Sequence, residues 1–200
     1  MRRLLLRVLV VLAVVAPVAA MAHGQNAEAE VRDPPPSLAG RLLVASPAMA
    51  STPFAGTVIL VCSHDASGAF GFVVNRRAGA VEATADRKGL AGVPVDMGGP
   101  VGPQLLFLLT RAEDAPKGAM LVANRFAIGN PEPYFADADT FPSPAPAMLV
   151  VGYSGWGGGQ LEEEIERGDW LVVDADDDLV FTLSDDAKWA RAIKRRGQDL

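Results

Sequence analysis

The sequence predicts a single mixed α/β domain, rich in strands, with its clearest helix at the C-terminal end. Three observations carry this. Half of the 200 residues are hydrophobic, which at this length supports one core and one domain. Short β-branched and apolar runs recur between turn-formers, as in "TVILVCS" (57–63) and "MLVVGYS" (148–154). Only 160–168 and 184–197 carry helix start and stop signals.

In order along the chain, the first 22 residues are read as a secretory signal peptide. Arg2 and Arg3 give a positive start, "VLVVLAVVA" (8–16) is a short apolar run, and Ala20-Met21-Ala22 is a cleavage site. The run from Val8 to Ala22 is shorter than the ~20 residues of a spanning helix, so a membrane anchor is set aside. Cleavage after Ala22 places the mature protein in the periplasm or outside the cell; the alternative is an uncleaved cytoplasmic chain. Residues 23–39, ending "VRDPPPSL", are polar and Pro-rich and read as a tail or linker. The folded domain is expected over 40–200.

"RLLVAS" (41–46), "TVILVCS" (57–63) and "GAFGFVVN" (68–75) read as strands, the last two as a hairpin across "HDASG". Their continuous apolar character predicts cover on both faces. "VEATADRKGLAG" (81–92) has weak helical character. "VPVDMGG" (93–99), "QLLFLLT" (104–110) and "AMLVAN" (119–124) read as strands, and the Pro-rich 129–147 as turns. After the strand at 148–154, "QLEEEIERG" is a short helix closed by Gly168. "WLVVDA" (170–175) and "LVFTL" (179–183) read as two more strands. The final helix has Ser184 as a cap, Asp185 and Asp186 in its first turn, Lys194 to Arg196 in its last, and Trp189 and Ile193 on one inner face.

The glycines at 155, 157, 158 and 159, running into a helix, invite a phosphate-loop reading. That loop needs a Lys and a Ser/Thr after its last Gly, and Gln160 and Leu161 stand there instead. Glu162, Glu163 and Glu164 in the first turn would repel an anion. The glycines are therefore expected to serve a tight turn, one of them at positive φ, with Trp156 and Trp170 packed alongside.

The stretch "GYSGWGGGQLEEEIERGDWL" resembles the signature of the YqgE/AlgH family, bacterial proteins whose biochemical role is not established. Its matching positions are Gly152, Tyr153, Gly155, Trp156, Gln160, Leu161, Glu164 and Trp170. "LLVASPAMASTPFAGTVILVCSHDASGAFGFVVN" is similar to the family's N-terminal block through Pro47, Phe54, His64, Gly68, Ala69, Gly71 and Asn75. "DMGGPVGPQLLFLL" is similar to its Gly-Gly-Pro segment, Gly98, Gly99 and Pro100, and "VFTLSDDAKWARAIKRRG" to its closing helix with Trp189. The chain departs from the pattern at Ser63, Thr52 and Arg77, where the family usually has an acid, an Asp and a Pro, and by carrying a signal peptide. The resemblance implies a sheet curled toward a barrel with a few peripheral helices.

Cys62 and His64 are two residues apart on a strand end, hence expected on one face, the arrangement of a thiolate activated by imidazole. Against it, the apolar residues on both faces of "TVILVC" predict a buried, inert thiol, and no acid or amide to orient His64 is visible. Cleavage would also leave His23 as a terminal amine and imidazole for copper, but a tail of about 17 residues separates it from the domain, so no metal or other cofactor is expected. The formal net charge is −6; the leader holds 3 of the 18 basic residues and none of the 24 acids, so removing it leaves about −9. That opposes nucleic-acid binding, which rests on Lys and Arg. A non-catalytic binding or interaction domain for an unknown protein or small-molecule partner is the resulting reading. The alternatives are a thiol-dependent enzyme using Cys62 and His64, and a cytoplasmic transcriptional regulator, a label some family members carry.

Overall fold

A computed structural model describes residues 36–82, 90–134 and 146–196. Residues 1–35, read above as a leader and most of a tail, the ambiguous 83–89 and much of the Pro-rich stretch lie outside the described residues. Among the described residues ten strands form the sheet: β1 Arg41–Ala45, β2 Val58–Asp65, β3 Gly68–Val73, β4 Arg77–Ala80, β5 Pro94–Met97, β6 Val101–Arg111, β7 Met120–Val122, β8 Phe126–Gly129, β9 Ala147–Gly157 and β10 Trp170–Asp174. Helices α1 (Gln160–Glu166) and α2 (Asp185–Arg196) lie outside it. The strand order is β10-β1-β2-β3-β9-β6-β8-β7, with β5 pairing β9 in parallel and β4 pairing β5.

β9 organises the molecule. It is 11 residues long and pairs β3, β5 and β6. Gly152 bends it at φ +68°, and register shifts in β2 and β6 add local twist. The sheet consequently curls into a half-barrel with few helices, as the resemblance implied.

The curl separates two apolar layers. One gathers Leu42, Leu60, Cys62, Phe72, Val150 and Leu179 and is covered by α2 through Trp189 and Ile193. The other gathers Leu43, Ile59, Val61, Trp156, Leu161 and Trp170 under α1. Strands β1 to β3 are thus buried on both faces, which is why their sequences run apolar without alternation.

Four readings need correction. "LVFTL" is not a strand: residues 178–182 form one π-helical turn. Asp176 decides this, since its carboxylate accepts the Leu179 N–H at 2.8 Å and its carbonyl the Val180 N–H at 3.0 Å, so local capping overrides β propensity. The glycine stretch is only half turn: Gly155 and Gly157 belong to β9, and Gly158 and Gly159 make the tight turn. β4 and β8 fall where no strand is expected, because four-residue runs such as "RAGA" carry almost no signal. The strand predicted at 104–110 starts three residues earlier, at Val101.

Candidate functional site

The signature residues assemble around one carboxylate. In α1, Glu164 Oε2 accepts the indole N–H of Trp156 and of Trp170, both at 2.8 Å. Its Oε1 accepts the Gln160 amide N–H at 2.9 Å, and Gln160 Oε1 accepts the Gly157 N–H at 3.1 Å. The chain of bonds is directional: every donor has an acceptor, and no amide can flip without losing one. The two indoles meet edge to face at 6.1 Å, and Phe54 stands edge to face on Trp170 at 5.7 Å. Both tryptophans are buried.

The turn that launches α1 is constrained by two different glycines. Gly159, at φ +77°, is the residue before the helix, where a side chain would be strained. Gly158 is held by space, because a Cβ there would lie 2.6 Å from the Ala66 carbonyl oxygen. Gly157, by contrast, has room around it and no positive φ, so the positive φ expected in this stretch falls at Gly159.

Next to this network lies an open cleft of about 290 Å³. Its walls are Met49 and Phe54 from the β1–β2 loop, Pro100 and Val101 at the start of β6, and Gly155, Trp156, Gln160, Glu164 and Trp170. Three of the four resembling blocks therefore converge on it. Residues Ser154–Gly157 of β9 pair with β3; among the described residues no strand pairs with them on the other edge, beside Pro100 and Val101.

The remaining matching positions are structural neighbours. Pro47 opens a 3-10 turn after β1. Asn75 fastens the β1–β2 loop, accepting the Val58 N–H at 2.8 Å and donating to the Gly56 carbonyl at 2.9 Å. Gly68, Gly71, Gly98 and Gly99 lie where a Cβ would meet backbone of an adjoining strand. Ala69 and Leu161 are buried in the layer under α1. Tyr153 meets Phe70 edge to face, and Trp189 donates to the Ala45 carbonyl at 2.8 Å.

Cys62 and His64 do not share a face. The β2–β3 register skips between Val61 and Ser63, so Cys62 is the extra residue of a bulge. Cys62 lies with Leu60 in the layer under α2, whereas His64 pairs with Ala69 in the other layer. The thiol is 3% exposed, faces the Leu60 carbonyl at 3.4 Å, and burial pushes its pKa up. A thiol so placed is not a ready nucleophile.

His64 does have an orienting acid, which sequence inspection missed. Its Nδ1 accepts the Leu38 N–H at 3.0 Å, so Nε2 carries the proton and donates to Glu162 Oε1 at 2.7 Å. Both ring nitrogens are occupied, and Ser37 adds a bond to the His64 carbonyl at 2.9 Å. The imidazole thus pins the start of the domain to α1. Glu162 was legible only as a helix-terminal acid, because its partner is distant in sequence.

A second polar cluster was also missed. Asp96 in β5 is 2% exposed. Arg77 Nε lies 3.3 Å from its Oδ1, yet the orientation closes no hydrogen bond on that buried oxygen. Lys188 in α2 is equally buried and donates to the Val74 and Val180 carbonyls at 2.6 and 2.9 Å. Asp185 Oδ oxygens lie 3.9 Å from both Lys188 and Arg77. Desolvation raises the Asp96 pKa to about 6 despite Arg77, and lowers that of Lys188. Among the described residues, no cluster of His, Cys, Asp and Glu could hold a metal ion.

Comparison with known proteins agrees with this architecture. A family model described as AlgH-like, DUF179, matches residues 42–200. A UPF0301 protein of Paracoccus denitrificans is 37% identical over 174 residues, covering 82% of this chain and 92% of the relative. One from Ruegeria pomeroyi is 39% identical over 171 residues, covering 81% and 93%. The solution structure of the AlgH protein from Pseudomonas aeruginosa superposes with a TM-score of 0.67 at 27% identity, covering 83% of this chain and 92% of that one. A crystal structure from Corynebacterium diphtheriae gives 0.54, also at 27% identity, covering 73% and 80%. With a curled sheet, a signature network and matches along nearly its whole folded length, the chain belongs to the AlgH-like, UPF0301 family.

Proposed function

We propose that this protein is an exported, non-catalytic binding domain whose cleft beside Trp156 and Trp170 receives a short extended segment of a partner protein. The observation that carries this reading is the convergence of three signature blocks on one cleft beside a strand edge with no strand neighbour. Extended peptides recognise such edges through backbone hydrogen bonds, with neighbouring pockets selecting side chains. Gly155 and Gly157 offer backbone without an obstructing side chain, while Phe54, Pro100 and Val101 supply apolar contact. The saturated bonds around Glu164 hold the aromatic walls before a partner arrives, which lowers the cost of ordering them on binding.

The alternatives lose support on specific grounds. Cys62 is buried and His64 has both nitrogens engaged on the opposite face, which weighs against thiol chemistry. The acidic charge and the leader weigh against a cytoplasmic DNA-binding role.

Two experiments test the proposal. A photo-reactive amino acid at Val101, in cells of the native host, is expected to give a discrete protein adduct that the same probe at Leu121, on the far edge strand, does not. Equal or absent adducts at both positions would contradict cleft binding. Mass spectrometry of the N-terminus from fractionated cells is expected to find His23 in the periplasm or medium. An intact Met1 in the cytoplasm would overturn export.

A further inference from the structure

We propose that the cavity above Asp96 binds a small zwitterion of amino-acid size, its ammonium on Asp96 and its carboxylate on Arg77. The cavity is about 450 Å³, within the range of small-molecule sites (~300–1,000 Å³). It lies between β4, β5 and the start of α2, lined by Arg77, Pro94, Asp96, Phe181, Asp185 and Lys188. It shares no lining residue with the cleft beside Trp156.

The argument rests on how each charge is matched. Lys188 is largely consumed by structure: two of its N–H groups hold the Val74 and Val180 carbonyls, tying α2 and the π-helical turn to the end of β3. Asp96 is not consumed. Its Oδ1 is buried without a hydrogen bond, and a buried acceptor without a partner keeps its desolvation cost in the folded state. A ligand donor would remove that cost. Arg77 is half exposed and approaches the acids through Nε. Among the described residues nothing accepts a hydrogen bond from its two terminal nitrogens, which suit a carboxylate.

Charge balance selects the ligand class. Two carboxylates face one guanidinium and one ammonium, so the cluster is neutral as it stands. A simple cation or anion would leave a net charge in a partly desolvated cavity, which is costly. A molecule carrying one charge of each sign adds none. The apolar wall from Pro94, Phe181 and Leu183 gives a side chain somewhere to lie.

The test uses the full folded chain labelled with 15N, titrated with each of the twenty free amino acids. At least one is expected to shift the Asp96 and Lys188 amide resonances saturably. Its N-acetyl and carboxamide forms are expected to bind at least tenfold more weakly. Asp96→Asn and Arg77→Leu are each expected to weaken binding at least tenfold while leaving resonances around Trp156 unmoved. The Arg77 change lies at the exposed mouth, so it keeps the test open if the core variant fails to fold. The proposal is overturned if no amino acid shifts these resonances, if capped forms bind equally, or if both folded variants bind as the parent does.

Discussion

Two polar clusters sit in this sheet and are built on opposite principles. Around Glu164 each donor meets an acceptor: two indoles and an amide converge on one carboxylate, and the amide's oxygen takes the Gly157 N–H. Around Asp96 a deeply buried carboxylate keeps one oxygen without a hydrogen bond, although an arginine stands 3.3 Å away. A saturated network fixes geometry and stabilises the fold, whereas an unsaturated one keeps a local cost in the native state. The first presents rigid walls to a partner; the second holds a group with bonding capacity to spare.

The sharpest way to break the comparison is at Glu164. Glu164→Leu leaves two indole N–H groups without their acceptor, and chemical denaturation is expected to show a loss of about 3–4 kcal/mol. Glu164→Gln is expected to lose about 1–2 kcal/mol. Its amide nitrogen would face that of Gln160, which cannot turn without releasing Gly157. Equal stability of the Gln variant and the parent would show that the network is not directional.

Asp96 should respond with the opposite sign. Its folded pKa, about 6, lies above the ordinary carboxylate value of 3.8. The folded state therefore binds the proton more tightly, and stability falls as pH rises from about 4 through 6. The loss attributable to this group is about 1–3 kcal/mol. The difference between parent and Asp96→Asn unfolding free energies, measured from pH 4 to 7.5, should shift by that amount in the variant's favour. A difference independent of pH would remove Asp96 from the account.

Smaller effects sharpen the boundary of the rigid region. Gly158→Val should cost about 1–3 kcal/mol because its side chain meets the Ala66 carbonyl. Gly157→Ala, with open space around it, should change thermal stability by less than about 1 kcal/mol. Smallest of all is the effect expected at Cys62. Iodoacetamide should label the native thiol only through opening of the structure, and His64→Gln should not slow that labelling. Rapid labelling that depends on His64 would restore the thiol-dependent reading.

Much of this was legible in the sequence where a local signal equals the outcome. "MLVVGYS" is apolar on both faces because β9 is covered on both. Trp189 and Ile193 lie one helical turn apart and pack together beneath α2. The signature glycines and tryptophans marked the cleft, but glycines read as loop, so the continuation of β9 through Gly157 was hidden. The Cys62 bulge was invisible because a one-residue register shift leaves no compositional trace while reversing which face follows. "LVFTL" misled because Asp176 caps from outside the apolar run. Asp96, Lys188 and Arg77 sit on three separate elements, so only tertiary structure reveals that they meet.

The most direct test of the contrast is a 13C carboxyl NMR titration of Asp96, assigned by its absence in Asp96→Asn. A midpoint near 6 is the predicted result, reporting a carboxylate that burial has left undersupplied with donors. A midpoint at or below the ordinary 3.8 would mean that Asp96 is fully satisfied, and the distinction between the two clusters would fail.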